Sequence, residues 1–123
     1  MDVPVIGLHE LWEMIEKKRD YVLIDVREQH ELKHGMLTTA QCVPLSELAN
    51  ALALSPREFK QKYGFELSAE DNIIFYCRTG VRSEKATELA LQRGFAKARN
   101  YKGSTWEWHL VDPRVQRYGP KPI

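Results

Sequence analysis

The segment Cys77-Arg78-Thr79-Gly80-Val81-Arg82-Ser83 brings together a nucleophile, two guanidiniums, a glycine and two hydroxyls within seven residues. A thiol reacts as its thiolate, so what matters at Cys77 is whatever would hold a negative sulfur. Cys77 ends the apolar run Ile73-Ile74-Phe75-Tyr76, and a helical pattern opens at Arg82, about five residues on. The connecting residues must therefore curl tightly, which Gly80 permits because glycine takes positive φ at little cost. Successive N–H groups of such a curl point inward as an anion-binding nest. The helix that follows adds its unpaired N-terminal donors and the positive end of its dipole. Arg78 and Arg82 flank the curl and are expected to add two fixed positive charges. Together these features are expected to lower the thiol pKa by roughly one to five units, and the same cradle would hold the terminal sulfur of a persulfide. A cysteine that merely fills a core has no use for these neighbours at a helix entrance. The reading fails if the thiol is walled off from solvent with the neighbouring amides turned elsewhere.

Other candidates carry blander expectations. Asp25 and Arg27 stand at the end of a second apolar run, where a charge needs a partner, so a structural ion pair bracing the pocket is expected. His30, His34 and His109 share no ligand spacing and His9 lies on a helix face, which favours solvated or capping roles over metal binding. Trp106 and Trp108 cannot share one helical face, and Trp106 is assigned to the core. Cys42 is placed in a strand as a small buried residue, with the resolution of an oxidised Cys77 as its other reading.

The elements that position these residues follow from periodicity. Leu8, Leu11, Trp12 and Ile15 recur at helical spacing between Gly7 and Lys18. Tyr21 to Val26 is a β-branched apolar run of strand length, and a second short strand begins near Ala40 and ends at Val43-Pro44. A helix is expected over Ser46–Leu54 with Leu45, Leu48 and Leu52 inward. Ser55-Pro56-Arg57-Glu58 carries a capping Ser, a first-turn Pro and a Glu three residues on; its helix runs to Tyr63 and Gly64 stops it. Ile73 to Cys77 is the clearest buried strand. A helix over Arg82–Arg93 has Ala86, Leu89 and Ala90 inward and Gly94 as its left-handed cap. Ala98–Tyr101 is a further strand and Ser104–Leu110 a last helix. Strands alternating with helices indicate an α/β fold with a mostly parallel sheet between helix layers. In such a sheet ligands bind beyond the carboxyl ends of the strands, where both Cys77 and Asp25 fall.

Size and composition bound the function. The 123 residues fit one domain, 1–123, with a core over about 5–110 and an irregular tail over 112–123. Eighteen Lys and Arg against 17 Asp and Glu leave a formal charge of +1, which argues against a nucleic-acid partner. No apolar run is long enough to span a bilayer, and no membrane partner is expected. Two cysteines cannot build a disulfide framework, and the start Met1-Asp2-Val3-Pro4-Val5 has neither the pattern of a secretory signal nor that of an Arg/Ser-rich transit peptide. A cytoplasmic location is the expectation, with a mitochondrial one left open.

The Cys77–Ser83 segment resembles the active-site loop of the rhodaneses, C-R-x-G-x-R-[ST]. Asp25-Val26-Arg27-Glu28 resembles that family's D-V-R-E, and Ala40-Gln41-Cys42-Val43-Pro44 its A-x-N-I-P. Tyr101-Lys102-Gly103-Ser104-Thr105-Trp106 is similar to its closing L-x-G-G-x-x-x-W. The resemblance runs from about Val5 to Leu110 and is greatest to small single-domain thiosulfate:glutathione sulfurtransferases. It implies a three-layer rhodanese fold and a Cys77 persulfide. A donor such as thiosulfate would load it, and glutathione, another thiol or cyanide would unload it. Neither cofactor nor metal is implied. By the family pattern the amides from Arg78 to Arg82 hold the outer sulfur, and the two arginines attract the donor. Two departures stand out: no turn glycine precedes Ala40, and the Gly-Gly of the closing segment is Gly103-Ser104. A phosphatase or arsenate reductase of the same fold is the enzymatic rival. It needs five residues between Cys and Arg to ring a tetrahedral anion, whereas four separate Cys77 from Arg82. A sulfur carrier serving a protein acceptor, or a protein-binding module, is the other alternative.

Overall fold

The computed structural model describes residues 2–123. Strands β1 (Val5–Ile6), β2 (Val22–Asp25), β3 (Gln41–Cys42), β4 (Ile73–Tyr76) and β5 (Arg99–Tyr101) form one sheet in the order β1-β5-β4-β2-β3, every pairing parallel. The helices are α1 (Leu8–Glu16), α2 (Leu45–Ala53), α3 (Pro56–Tyr63), α4 (Val81–Gln92) and α5 (Ser104–Trp108), with a 3-10 turn at Gln29–His34.

Strand alternation assigns the side chains to two cores. Ile24, Ile73, Phe75 and Cys77 face α2, α3 and α4 through Leu48, Ala51, Phe59, Ala86 and Ala90. Leu23, Ile74, Tyr76 and Tyr101 face α1 and α5 through Leu11, Met14 and Trp108. This is the expected α/β arrangement, a parallel sheet covered on both faces.

Local chemistry explains the ends. Ser55 accepts from the Glu58 N–H at 3.2 Å, the Glu58 carboxylate accepts from the Ser55 N–H at 3.0 Å, and Gly64 closes α3 in the left-handed region. Four expectations change in detail. Strand β1 has no counterpart among the expected elements, because two residues carry no periodicity. On α1 the buried side is Leu11 and Met14, while Trp12 is exposed. Trp106 is not a core residue: Trp108 is, and Trp106 is half-buried at the rim. The tail past Asp112 is irregular, yet it packs, with Val115 fully buried against His109 and its neighbours.

Candidate active site

Strand β4 ends at Tyr76 and α4 begins at Val81, so four residues turn the chain from sheet to helix. Gly80 takes φ +91°, and a Cβ there would lie 2.2 Å from the Lys102 carbonyl oxygen. The turn therefore demands glycine twice, for its backbone angle and for its proximity to the β5–α5 connection. Its amides converge on the sulfur: the Gly80 N–H donates to Cys77 Sγ at 3.1 Å, and the Ser83 hydroxyl lies 3.4 Å from it. Burial pushes the Cys77 thiol up. The Ser83 hydroxyl and the Ser83, Thr79 and Gly80 amides outweigh that burial and set it below its ordinary value.

The thiol itself is closed in. Cys77 is 1% exposed, so the sulfur is held by amides as expected but does not open to solvent. Thr79 is half-buried, Ser83 is buried and Val81 is exposed at the mouth.

A further set of residues, which the sequence motif did not single out, stitches Cys77 to the end of β5. Its N–H donates to Ser104 Oγ at 3.1 Å, and its carbonyl accepts from the Thr105 N–H at 3.1 Å. Ser104 is buried with φ +54°, in the region that favours glycine, and its hydroxyl also donates to the Tyr101 carbonyl at 2.9 Å. Asn100 donates from Nδ2 to the Gly80 carbonyl at 3.3 Å and fixes the far side of the curl. The sequence signal for Ser104 was the departure from Gly-Gly; Asn100 gave none beyond a polar residue in a buried strand.

The arginines are arranged differently from the expectation of two free charges beside the thiol. Arg82 donates to both oxygens of Glu31, at 2.6 and 2.9 Å, and that pairing holds the Glu31 carboxyl down to about 2. Arg78 turns away from the sulfur. It donates from Nη1 to the Tyr118 and Pro120 carbonyls, both at 2.9 Å, and lies over the Trp106 and Tyr118 rings. The hydrogen bonds that lower the thiol thus come from neutral dipoles of the loop, and the Arg82 charge acts on it only through space. Asp25 and Arg27 form a fully buried pair joined by three side-chain contacts of 2.7 to 3.1 Å. Asp25 also accepts from the Arg27 N–H at 2.9 Å, and Arg27 donates to the Gly35 carbonyl at 2.7 Å.

Cys42 lies on β3 and is half-buried, not buried; burial and the nearby Asp25 charge push its thiol up to about 11. Asp25 is in register with both Cys42 and Tyr76, so the whole of β2 separates Cys42 from Cys77. Two strand spacings place the Cα atoms roughly 10 Å apart, beyond the ~7 Å limit for a disulfide without backbone movement. The resolving role is thereby corrected. His109 Nδ1 lies 2.8 Å from the Val115 carbonyl oxygen and His34 stacks on Tyr118. Among the described residues no group of three His, Cys, Asp or Glu side chains could hold a metal, and no helix is long and apolar enough to cross a membrane.

A family model, the rhodanese-like domain, matches residues 7–110. The chain is 36% identical over 107 residues to the human thiosulfate:glutathione sulfurtransferase, covering 85% of this chain and 92% of that protein. It is 40% identical over 105 residues to the mouse thiosulfate sulfurtransferase/rhodanese-like domain-containing protein 3, covering 84% of this chain. It spans 66% of that mouse protein's length, just under two thirds. Among solved structures, the human single-domain sulfurtransferase TSTD1 superposes with a TM-score of 0.84 at 34% identity, covering 90% of this chain and 99% of that one.

Proposed function

The chain belongs to the rhodanese-like domain family, and from that premise we propose that it is a sulfurtransferase working through a persulfide on Cys77. The observation that carries the reading is the Gly80 N–H aimed at Cys77 Sγ at 3.1 Å within a four-residue curl. A ring this small suits one sulfur atom.

In the first half-reaction the Cys77 thiolate attacks the outer sulfur of thiosulfate. A new S–S bond forms, the old one breaks, and sulfite leaves with its electron pair. In the second, the thiolate of an acceptor such as glutathione attacks the outer sulfur of Cys77–S–S⁻ and displaces the Cys77 thiolate. The amides of Thr79, Gly80 and Ser83 and the Ser83 hydroxyl stabilise the sulfur anion that is the nucleophile of one step and the leaving group of the other. Arg78 meets the donor's oxygens; Val81, exposed at the mouth, meets the acceptor. The Asp25–Arg27 pair keeps the strand ends in place, Arg82 is held by Glu31, and neither metal nor cofactor takes part. The whole chain acts as one domain in the cytoplasm on small molecules, with a protein acceptor as the second reading.

Intact mass after incubation with thiosulfate tests this. A gain of about 32 Da is expected, with release of sulfite, and it should vanish in Cys77→Ser and persist in Cys42→Ser. No adduct in the native chain refutes the reading. Adduct that only a protein thiol can discharge, with glutathione and cyanide inert, favours the carrier.

A further inference from the structure

Residues beyond Leu110 lie outside the stretch matched by the family model, yet they bond to Arg27, Glu31 and Arg78 around the site. After Val115 no residue of the tail is buried, so the segment from Gln116 onward is held by polar and stacking contacts alone. The Gln116 N–H donates to the His34 carbonyl at 2.8 Å. Tyr118 stacks on His34 at 4.0 Å between ring centroids; its hydroxyl donates to Glu31 at 2.9 Å and accepts from Arg27 at 3.3 Å. On the other side, the Tyr118 and Pro120 carbonyls accept from Arg78, and Arg117 lies over the Trp106 ring at 4.8 Å while donating to the Trp106 carbonyl at 2.8 Å. Arg27 follows β2, Arg78 follows β4 and Trp106 follows β5, and these three strands are neighbours in the order β5-β4-β2. The tail therefore crosses the carboxyl ends of these strands and bonds to Arg78, the residue that follows Cys77.

The partners differ in kind. Arg27 and Arg82 are engaged by carboxylates, whereas Arg78 Nη1 is engaged by two neutral carbonyls. An oxyanion competing for Arg82 would have to displace Glu31. At Arg78 it would exchange neutral carbonyl acceptors for an anionic one, adding a charge–charge attraction to bonds whose donor is already ionised. We propose that residues 116–123 are a displaceable strap that determines which donors reach Cys77: a donor bearing anionic oxygens takes the Tyr118 and Pro120 positions on Arg78 and lifts the strap, and a neutral donor does not. This rests on the sulfurtransferase reading of the same site and adds its selection for oxyanion donors. Lifting leaves the cores intact, because the segment contributes nothing to them, as befits a region of low local stability.

Two readouts in a Cys42→Ser background test it. Carbamidomethylation of Cys77 by iodoacetamide, followed by intact mass, should run at least about tenfold faster in a chain ending at Gln116 and in full-length Tyr118→Ala. Trypsin cleavage after Arg117 in the full chain should accelerate with sulfate relative to chloride at equal ionic strength. Unchanged alkylation in both variants overturns the strap, and cleavage indifferent to sulfate overturns the exchange at Arg78. Persulfide formation from thiosulfate is scored separately: faster alkylation without any adduct would sink the sulfurtransferase reading and leave the strap standing, while adduct with unchanged alkylation does the reverse.

Discussion

Replacing Gly80 by Ala tests the source of the thiolate. The substitution places a carbon 2.2 Å from the Lys102 carbonyl oxygen at a backbone φ of +91°. Ordinary contact needs roughly 1 Å more than that, and the left-handed angle itself costs a non-glycine residue about 1–2 kcal/mol. The loop must move, and a shift of that size breaks the 3.1 Å contact from the Gly80 N–H to Cys77 Sγ. A hydrogen bond to a charged acceptor contributes about 1.5–3 kcal/mol, so its loss should raise the thiol by roughly one to two pKa units. The assay is the pH dependence of Cys77 alkylation in a Cys42→Ser background, reading the midpoint and not the amplitude. Gly94→Ala is the matched control, since Gly94 also has φ +91° but a Cβ there would meet nothing within 4 Å. Gly94→Ala should lose about 1–2 kcal/mol of stability and leave the alkylation midpoint where it was. If Gly80→Ala also leaves the midpoint in place while losing stability, the amides are not what holds the sulfur negative.

Asp25→Asn should cost about 3–5 kcal/mol in urea unfolding, because it strands a buried guanidinium, and adding Arg27→Met should recover most of that loss. Glu31 is held at about 2 by Arg82, so its ion pair stabilises the fold fully above the ordinary Glu range and is lost as pH falls through about 2; in Glu31→Gln the acid limb of the stability–pH curve should flatten over that window. Thr39→Gly should be neutral to stabilising by under about 1 kcal/mol, since relief of the left-handed angle is set against loss of the 2.8 Å contact between Thr39 and the Tyr21 hydroxyl. A thermal melt reads it.

Much of this was legible in the residues. The capping box at Ser55, the β-branched runs at β2 and β4, and the inward stripe of α4 are local signals, and each produced its element. The curl at Gly80 was legible for the same reason: φ and neighbour distance are dictated within a few residues. What failed to read was everything set by distant chain. The arginines look like free charges when only the loop is considered, because their partners, Glu31, Tyr118 and Pro120, lie 40 or more positions away. Trp106 reads as core from its residue type; it is a rim residue over whose ring both Arg78 and Arg117 lie. Thr39 and Ser104 stand where the family pattern carries glycine, and both keep the positive φ. The turn survived the loss of its glycine because surrounding bonds over-determine it: Thr39 to Tyr21, and Ser104 to Cys77 and Tyr101.

The charge pattern at the strand ends then has a single logic. Asp25 offsets Arg27 and Glu31 offsets Arg82, so of these three guanidiniums, counting Arg78, only Arg78 lacks a carboxylate. The hydrogen bonds that lower Cys77 come from dipoles, which stabilise a sulfur anion without binding it as a salt bridge would, while Arg82 acts on it only through space. Under the proposed persulfide chemistry that distinction matters, because the sulfur must be held as an anion in one step and released in the next. A guanidinium locked on Sγ would stabilise the persulfide as much as the transition state that transfers it, and binding both equally accelerates nothing. Amides fixed by Gly80, Asn100 and Ser104 would keep the same field through both proposed half-reactions, and the guanidinium without a carboxylate is left at the rim, where the proposed donor would meet it.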